Sequence, residues 1–393
     1  MAIIPTLFTQ MAELIALPSV SSVSPEYDQG NLAVVERLGT WLEDLGFVVE
    51  LLPLSTRPGK ANLIATLGEG TGGLVLAGHT DTVPYDAALW RYDPFRLTEA
   101  DGRLYGLGTS DMKGFFPLVI EAVRRFRAKD LTEPLIVLAT ADEESSMDGA
   151  KELVELGRPR ARYAIIGEPT GLVPVRMHKG ILMEGIRLVG RSGHSSDPSL
   201  GVNALEGMTR VLQALLVWRE ELQARYHNPQ FHVPVPTLNL GHIHGGDNPN
   251  RICGMCELHI DLRPLPGMDL EELRSAMRKR LAASLVNSGL ELEIFPLFCG
   301  TPALETPASS PVVQVVEGLT GTRAGAVAFA TEAPYLQQLG ADTIAFGPGD
   351  IAQAHQPNEY LAHDRLQPTI DCLAAIIQRF CVAPSPVEKS AKG

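Results

Sequence analysis

The sequence predicts an α/β protein with a smaller α+β unit inserted into its main domain. Strand-like and helix-like segments alternate up to about residue 180, which is typical of an α/β sheet. After Gly180 the segments follow the order β-α-β-β-α-β, as in a ferredoxin-like unit, and α/β character returns from about Pro302. We therefore expect a main domain of residues 1–180 and 298–393 and an inserted domain of residues 181–297.

Hydrophobic periodicity predicts the elements of the main domain. Apolar residues at helical spacing predict amphipathic helices over residues 3–17 and 31–45, the second with a stripe that includes Leu32, Val35 and Leu38. A continuous apolar run over residues 74–77 predicts a buried parallel strand. Further strands are predicted at 47–52, 61–66, 326–329 and 343–346, helices at 311–319 and 368–380, and a frayed tail at 383–393.

The inserted domain has clear helix and strand signals. Asp269 is a typical N-cap for a helix over residues 269–285, and a longer helix is predicted over residues 203–226. Period-2 alternation predicts four strands, at residues 181–189, 237–243, 251–262 and 290–295.

Composition excludes several classes of function. With 45% hydrophobic and 20% charged residues, the chain has an ordinary globular composition, and no apolar run approaches the ~20 residues of a membrane span. A net charge of −13 argues against nucleic-acid binding, which depends on basic side chains. The N-terminus lacks a secretory pattern, so we expect a cytoplasmic protein.

The five cysteines favour a reducing compartment rather than a disulfide framework. Cys253 and Cys256 have the spacing of half a zinc site. On the predicted strand over 251–262, however, residues three apart point to opposite faces, so we interpret both thiols as core residues.

Candidate metal ligands follow strand-like runs or lie in Gly/Pro-rich loops. His79 and Asp81 come just past the apolar run over residues 74–77, and one intervening residue places their side chains on one face of an extended chain. A metal-bound imidazole usually passes its other N–H to a carboxylate, the role predicted for Asp81. This pattern alone is weak; the rest of the candidate set is Asp111, Glu143, Glu144, Glu168 and His355.

These residues lie within motifs spread over nearly the whole chain: GHTDTVPYD, GLGTSDMKG, ATADEESSMDGA, IIGEPT, SGHSSDP, LRPLPGM, TEAP and HQPNEYL. The set resembles the co-catalytic zinc amidohydrolases and exopeptidases that include aminoacylase, succinyl-diaminopimelate desuccinylase and, most similar, acetylornithine deacetylase. The resemblance implies a zinc-exopeptidase-like catalytic α/β/α domain and an inserted domain that serves for dimerisation and as a lid. It also implies a cis peptide bond between Asp111 and Met112.

The resemblance implies two divalent metal ions per chain, with zinc preferred and cobalt or manganese able to substitute. Asp111 matches the bridging ligand, and a carboxylate can bridge because it has two oxygens. The other matching ligands form two pairs, namely His79 with Glu168 for one ion, and Glu144 with His355 for the other. Ligand sets of this kind, with oxygen and nitrogen donors only, are common at catalytic zinc.

The implied reaction is hydrolysis of the amide bond of N2-acetyl-L-ornithine by a metal-activated bridging water. Glu143 matches the general base that takes the water proton and passes it to the leaving amine. Glu143 and Glu144 alone would more often be a solvated helix start. His194 matches a histidine that reaches the partner's active site in related dimers and stabilises the oxyanion, with a turn histidine as the alternative.

The residues predicted to contact the substrate are less firmly placed. Lys179, Asn250 and Arg263 match positions that hold a substrate carboxylate, although Arg263 could equally pair with Asp261 or cap the following Pro264–Pro266 turn. Glu332 is predicted to face the substrate's ammonium group, with a solvated loop acid as the alternative.

Two further classes of function stay open at this stage. The same metal ligands would serve a broader N-acyl amino acid deacylase, a succinyl-diaminopimelate desuccinylase or a dipeptidase. A non-catalytic binding or scaffold protein is the remote alternative, and it would be expected to lack ligands or the base. In every catalytic case the partners are a small N-acyl amino acid and a second copy of the chain, without nucleic acid or membrane.

Overall fold

The computed structural model describes residues 4–382, so the predicted tail over 383–393 lies outside the described residues. Up to the end of the first α/β segment, the elements are α1 (Leu7–Ile15), α2 (Leu32–Asp44), β1 (Val48–Pro53), β2 (Ala61–Leu67), β3 (Leu74–His79), β4 (Thr98–Ala100), β5 (Arg103–Tyr105), α3 (Phe115–Val123), β6 (Leu135–Thr140), α4 (Asp148–Leu156), β7 (Tyr163–Ile166) and β8 (Val175–His178).

The inserted segment and the C-terminal part complete the chain. The inserted segment contains β9 (Ile181–Val189), α5 (Ala204–Arg225), β10 (Thr237–Gly245), β11 (Met255–Arg263), α6 (Leu270–Ser284), β12 (Glu291–Thr301) and β13 (Leu304–Glu305). The remaining elements are α7 (Pro311–Thr320), β14 (Gly325–Val327), α8 (Ala333–Gln338), β15 (Asp342–Ala345), β16 (Tyr360–Ala362) and α9 (Leu366–Ile377), which continues into a π-helical turn, Gln378–Val382.

The described chain divides into two compact units. Unit 1 comprises residues 4–176, 306–325 and 331–382, and unit 2 comprises residues 177–305 and 326–330. The short return of 326–330 to unit 2 has no counterpart in the sequence analysis, which placed a main-domain strand there. Among the described helices, none is long and apolar enough to cross a membrane.

Unit 1 is built on a mixed sheet in the order β1-β2-β6-β3-β7-β15-β8. Strands β3, β6 and β7 are buried at every position, which for β3 confirms the prediction from the apolar run over residues 74–77. Helix α2 buries Val34, Val35, Leu38, Trp41 and Leu42, whereas Leu32 of the predicted stripe is exposed at the first helical position. The buried face of α2 is therefore wider than the predicted apolar stripe, because Val34 and Trp41 also pack in the core.

Unit 2 confirms the predicted β-α-β-β-α-β order. Its sheet is antiparallel in the order β10-β11-β9-β12, the strand arrangement of a ferredoxin-like unit. The Asp269 side chain caps α6 by accepting a hydrogen bond from the Glu272 N–H. The Asn203 side chain caps α5 by accepting the N–H groups of Leu205 and Glu206. Helix α5 turns Met208, Val211, Leu215 and Trp218 toward this sheet's core.

The prediction of a strand over residues 251–262 was wrong at its start. Residues before Met255 bond to another loop: the Ile252 N–H donates to Gly193 O, and Gly254 O accepts from the Gly190 N–H, each at 2.8 Å. Cys253 therefore precedes β11 rather than lying on it. Both Cys253 and Cys256 are nevertheless buried in the core of unit 2, and burial raises the pKa of the Cys256 thiol. The interpretation as core residues is confirmed.

Candidate active site

The candidate site lies where parallel strands of unit 1 end. β3 pairs in parallel with β6 and β7, and β7 pairs in parallel with β15, so their carboxyl ends meet at one edge of the sheet. Ligands of open α/β sheets bind at such an edge. His79 is the last residue of β3, and the segments that follow the other three strands carry Glu143, Glu144, Glu168 and His355. Asp111 comes from the loop between β5 and α3.

The imidazole of His79 is buried and held in one orientation. Its Nδ1 donates a hydrogen bond to the main-chain oxygen of Asp81 at 3.0 Å, which leaves Nε2 to face Asp111 Oδ1 at 3.1 Å. Burial lowers the pKa of His79, but the Asp111 hydrogen bond and the nearby Asp81 and Glu143 charges outweigh it and raise the pKa well above its ordinary value. His79 therefore presents Nε2 to the carboxylates around it.

The contact between His79 and Asp81 differs from the predicted one. The Asp81 carboxylate lies 3.8 Å from His79 Nδ1, beyond hydrogen-bond distance, and its Oδ2 accepts the Glu144 N–H at 3.0 Å instead. Burial raises the pKa of Asp81 to about 6, opposed by the charge of His79. Asp81 thus orients His79 through its backbone and fixes the Glu144 segment through its side chain.

Asp111 lies between two imidazoles. His355 Nε2 is 3.6 Å from Asp111 Oδ2 and 3.0 Å from Glu144 Oε2. His79 contacts the other oxygen of the Asp111 carboxylate, Oδ1. Among the described residues, His79, Asp111 and Glu144 place ligand atoms within 4.8 Å of one another. The peptide bond between Asp111 and Met112 is cis, as the resemblance implied.

Glu143 and Glu168 complete the group of acidic side chains. Burial raises the pKa of Glu143 well above its ordinary value, and the charge of Glu168 adds to the effect. Burial likewise raises the pKa of Glu168, with a further contribution from Asp111. Glu143 and Glu144 are adjacent, yet only Glu144 bonds to His355. Of the two adjacent carboxylates, Glu144 is therefore the one that contacts the imidazole of His355.

The cluster suits divalent metal ions. Several carboxylates lie together in a largely buried place, where their charges repel unless a cation compensates them. The buried Oε1 of Glu168 has no hydrogen-bond partner among residues 4–382, as expected of an atom that serves as a metal ligand. The donor atoms are imidazole nitrogens and carboxylate oxygens, a set that zinc accepts. These observations fit the predicted ligand set.

A network behind the Glu143 turn escaped the sequence analysis. The buried Lys60 ammonium bonds to Asp28 at 2.6 Å and also to Asp142, and Ser21 Oγ donates to Asp142 at 2.7 Å. Asp142 has a left-handed backbone, and its main-chain oxygen accepts from the Ser146 and Met147 N–H groups. The network therefore fixes the turn just before Glu143. The residues of this network are distant from one another in the sequence. The only local signal for it is that Asp142 directly precedes Glu143 and Glu144.

Two more buried charged side chains were missed, although both lie in motifs quoted for the resemblance. Burial lowers the pKa of Lys113 to about 7, while the charges of Glu359 and Asp81 oppose this shift. Burial raises the pKa of Glu359 to about 8, opposed by hydrogen bonds from the loop that carries Asp111. Each lies only a few residues from a candidate ligand, in SDMK and HQPNE, which is the signal that could have found it.

In unit 2 the structure brings His194 and Asn250 together. Asn250 O accepts the Ser195 N–H at 3.0 Å, and His194 forms a β-bridge with Arg251. The exposed His194 ring accepts the Ser196 N–H at Nδ1, at 3.2 Å. A neutral ring that accepts at Nδ1 carries its hydrogen on Nε2.

Lys179 and Arg263 lie close to each other in the same unit. Burial lowers the pKa of Lys179, and the charge of Arg263 adds to this; the Lys179 ammonium donates to Val235 O at 2.7 Å. Arg263 Nε donates to both carboxylate oxygens of Asp261, at 2.9 and 3.0 Å. The sequence analysis left open whether Arg263 pairs with Asp261, and the structure contains this pair.

Glu332 lies in unit 1 and is only 2% exposed. Burial raises its pKa to about 7, opposed by the Thr140 hydroxyl and by His79, although neither carboxylate oxygen makes a hydrogen bond of good geometry to a described residue. It therefore lies near His79, and this conformation does not expose it to a substrate.

The histidine pair of β10, His242 and His244, belongs to unit 2. His242 and His244 are exposed, and the His242 ring packs against His259 with ring centroids 4.9 Å apart. His178 is fully buried in β8, and burial lowers its pKa to about 4. The burial of His178 and the ring packing of His242 are both consistent with structural roles for these residues.

Comparison with known proteins assigns the family. The family model of peptidase family M20/M25/M40 matches residues 75–379. Proteins named acetylornithine deacetylase from Vibrio campbellii and Pasteurella multocida are 50% and 48% identical to this chain over 96% of its length and 99% of theirs. One of the same name from Pectobacterium atrosepticum is 51% identical over 94% of this chain and 96% of its own.

Solved structures agree with this assignment at the level of the fold. An M20 family metallo-carboxypeptidase from Sulfolobus solfataricus is 18% identical, with a TM-score of 0.76 over 95% of this chain and 99% of its own. A dinuclear metal binding M20 peptidase from Bacillus subtilis is 14% identical, with a TM-score of 0.65 over 94% and 97%. The chain is therefore a member of peptidase family M20/M25/M40.

Proposed function

We propose that this chain is an acetylornithine deacetylase that hydrolyses N2-acetyl-L-ornithine to L-ornithine and acetate. The observation that supports the proposal is that His79, Asp111 and Glu144 place ligand atoms within 4.8 Å of one another, with His355 3.0 Å from Glu144 and with Glu143 and Glu168 buried beside these charges. The choice of substrate is supported by relatives of that name that match nearly the whole chain at about half identity.

In the proposed mechanism His79 and Glu168 would hold one divalent ion, Glu144 and His355 would hold the other, and Asp111 would be the ligand shared between them. When bound, the ions would polarise the amide carbonyl and activate the attacking water. Zinc is the preferred ion, because the donors are imidazole and carboxylate, and cobalt or manganese would be accepted by the same donors.

Glu143 moves the proton in this proposal. Its carboxylate takes a proton from water as the water oxygen bonds to the acetyl carbon, and it delivers that proton to the nitrogen of ornithine as the C–N bond breaks. Asp81 keeps His79 and the Glu144 segment in place during the reaction.

Substrate selection tests the proposal. We expect the zinc-loaded protein to have a kcat/KM for N2-acetyl-L-ornithine at least about tenfold above those for N-acetyl-L-methionine and N-succinyl-diaminopimelate, because pocket contacts separate similar substrates by that order. A higher kcat/KM for N-acetyl-L-methionine or for N-succinyl-diaminopimelate would contradict the acetylornithine assignment. The protein would then be a deacylase or a desuccinylase that uses the same metal ligands. No turnover of any acylated amino acid or dipeptide would favour the scaffold alternative.

The carboxylate contacts of the substrate stay a prediction for Lys179, Asn250 and Arg263. Arg263 suits this role because its Nε is committed to Asp261, which orients the planar guanidinium. Recognition of the ammonium group by Glu332 also stays a prediction, and it requires the N-terminus of α8 to open and expose that carboxylate.

We further propose a homodimer in which His194 reaches the partner's site. The tautomer supports this role: with Nδ1 occupied by the Ser196 N–H, Nε2–H is the donor that an oxyanion needs. Light scattering is expected to give a dimer, and His194→Ala is expected to lose most turnover while keeping its metal.

Mixed dimers separate action within one subunit from action across the dimer. When His194→Ala and Glu143→Gln subunits are co-expressed, random assortment is expected to restore about a quarter of wild-type turnover, because half of the dimers then contain one complete site. Absence of restoration would assign His194 to its own subunit, and full activity of His194→Ala would remove it from the reaction.

A further inference from the structure

One buried carboxylate joins the two loops that carry Asp111 and His355. We call residues 106–114 the aspartate loop and residues 347–359 the histidine loop. Glu359, the last residue of the histidine loop, is 1% exposed. Its Oε1 accepts the Ser110 and Asp111 N–H groups at 2.7 and 2.9 Å, and its Oε2 accepts the Gly108 N–H at 3.0 Å.

Two further hydrogen bonds tie the same loops, one between backbones and one to the Ser110 side chain. The Gly106 N–H donates to the main-chain oxygen of Glu359 at 3.1 Å, and the Asp350 N–H donates to Ser110 Oγ at 3.0 Å. The loops are therefore joined at both ends of the histidine loop. Between these ties lies His355, whose Nε2 is 3.6 Å from Asp111 Oδ2.

The three N–H donors around Glu359 suit a carboxylate side chain. A carboxylate accepts at both oxygens, whereas a neutral amide has one acceptor oxygen and would turn its NH2 group toward a backbone N–H. The three N–H donors are divided between both oxygens of Glu359, and they offset part of the cost of burying a carboxylate there.

We infer that Glu359 is a positioning residue that sets Asp111 against His355 for metal binding. It contacts the backbone of the ligand residue rather than metal or substrate. The inference rests on the proposed function insofar as that function requires these ligands, but zinc affinity can be measured without any substrate. Failure of the acetylornithine assignment would therefore leave the test of Glu359 intact.

The test is the zinc affinity of the folded Glu359→Gln variant. Competition with a fluorescent chelator is expected to show about a 10- to 100-fold loss of affinity, the effect typical of groups that orient metal ligands. Circular dichroism of the metal-free protein identifies conditions in which variant and wild type are equally folded. The control Glu43→Gln makes the same change at an exposed site on α2 and is expected to bind zinc as wild type does.

The two interpretations of Glu359 give different outcomes. If it only stabilises the fold, Glu359→Gln would melt at a lower temperature but bind zinc with wild-type affinity, which would overturn the inference. If the variant does not fold, Ser110→Ala decides the matter, because it removes the other side-chain tie between the loops. A loss of zinc affinity of several fold in folded Ser110→Ala would support the inference, and unchanged affinity would overturn it.

Discussion

Glu143→Gln is expected to lower kcat by about 10³-fold, within the range that a positioned general base contributes. Glutamine has nearly the same volume but cannot accept the proton from water. Because Glu144, rather than Glu143, bonds to His355, the variant is expected to bind the same number of metal ions as wild type. The measurement is kcat for N2-acetyl-L-ornithine together with zinc content by elemental analysis.

The matched control is Glu155→Gln, which makes the same change at an exposed position of α4. It is expected to leave kcat unchanged. If Glu143→Gln kept turnover within about threefold of wild type, Glu143 could not be the general base, since loss of a base costs far more than that. If it lost turnover together with zinc, Glu143 would have to be reassigned as a ligand.

Asp111→Asn is expected to remove metal as well as activity. Asp111 places one carboxylate oxygen toward His79 and the other toward His355, at 3.1 and 3.6 Å. Asparagine keeps the shape but has a single oxygen to offer and no negative charge, so it cannot bridge two ions. After dialysis, zinc content is expected to fall from about two ions per chain to one or none, with kcat about 10³-fold lower.

An exposed aspartate provides the comparison for this variant. Asp44→Asn, at the end of α2, is expected to retain wild-type zinc content and turnover. Full zinc content in folded Asp111→Asn would exclude Asp111 as the bridging ligand. The cluster would then hold its ions through other residues.

Much of the site could be predicted because it depends on where strands end. The apolar run of β3 places His79 at the carboxyl edge of the sheet, and the runs of β6 and β7 do the same for Glu144 and Glu168. The period-2 and helical patterns of unit 2 likewise give its element order. These are local signals, repeated over several residues, and a single sequence carries them.

Other features depend on contacts between distant segments. His79 bonds to the backbone of Asp81 rather than to its carboxylate, a choice made by side-chain rotamers that residue spacing does not encode. Glu359 meets the aspartate loop about 250 positions away, and Lys60 meets Asp142 across 82. The early start predicted for β11 failed for the same reason, because residues 252–254 bond to the Gly190–Gly193 segment instead.

We propose that Asp111 joins two metal ions near the end of β3. Anomalous scattering at the zinc edge, from crystals of the zinc-loaded protein, tests it most directly. We expect two peaks, one beside His79 and Glu168 and one beside Glu144 and His355, with Asp111 in contact with both. A single peak, or peaks away from these residues, would contradict it.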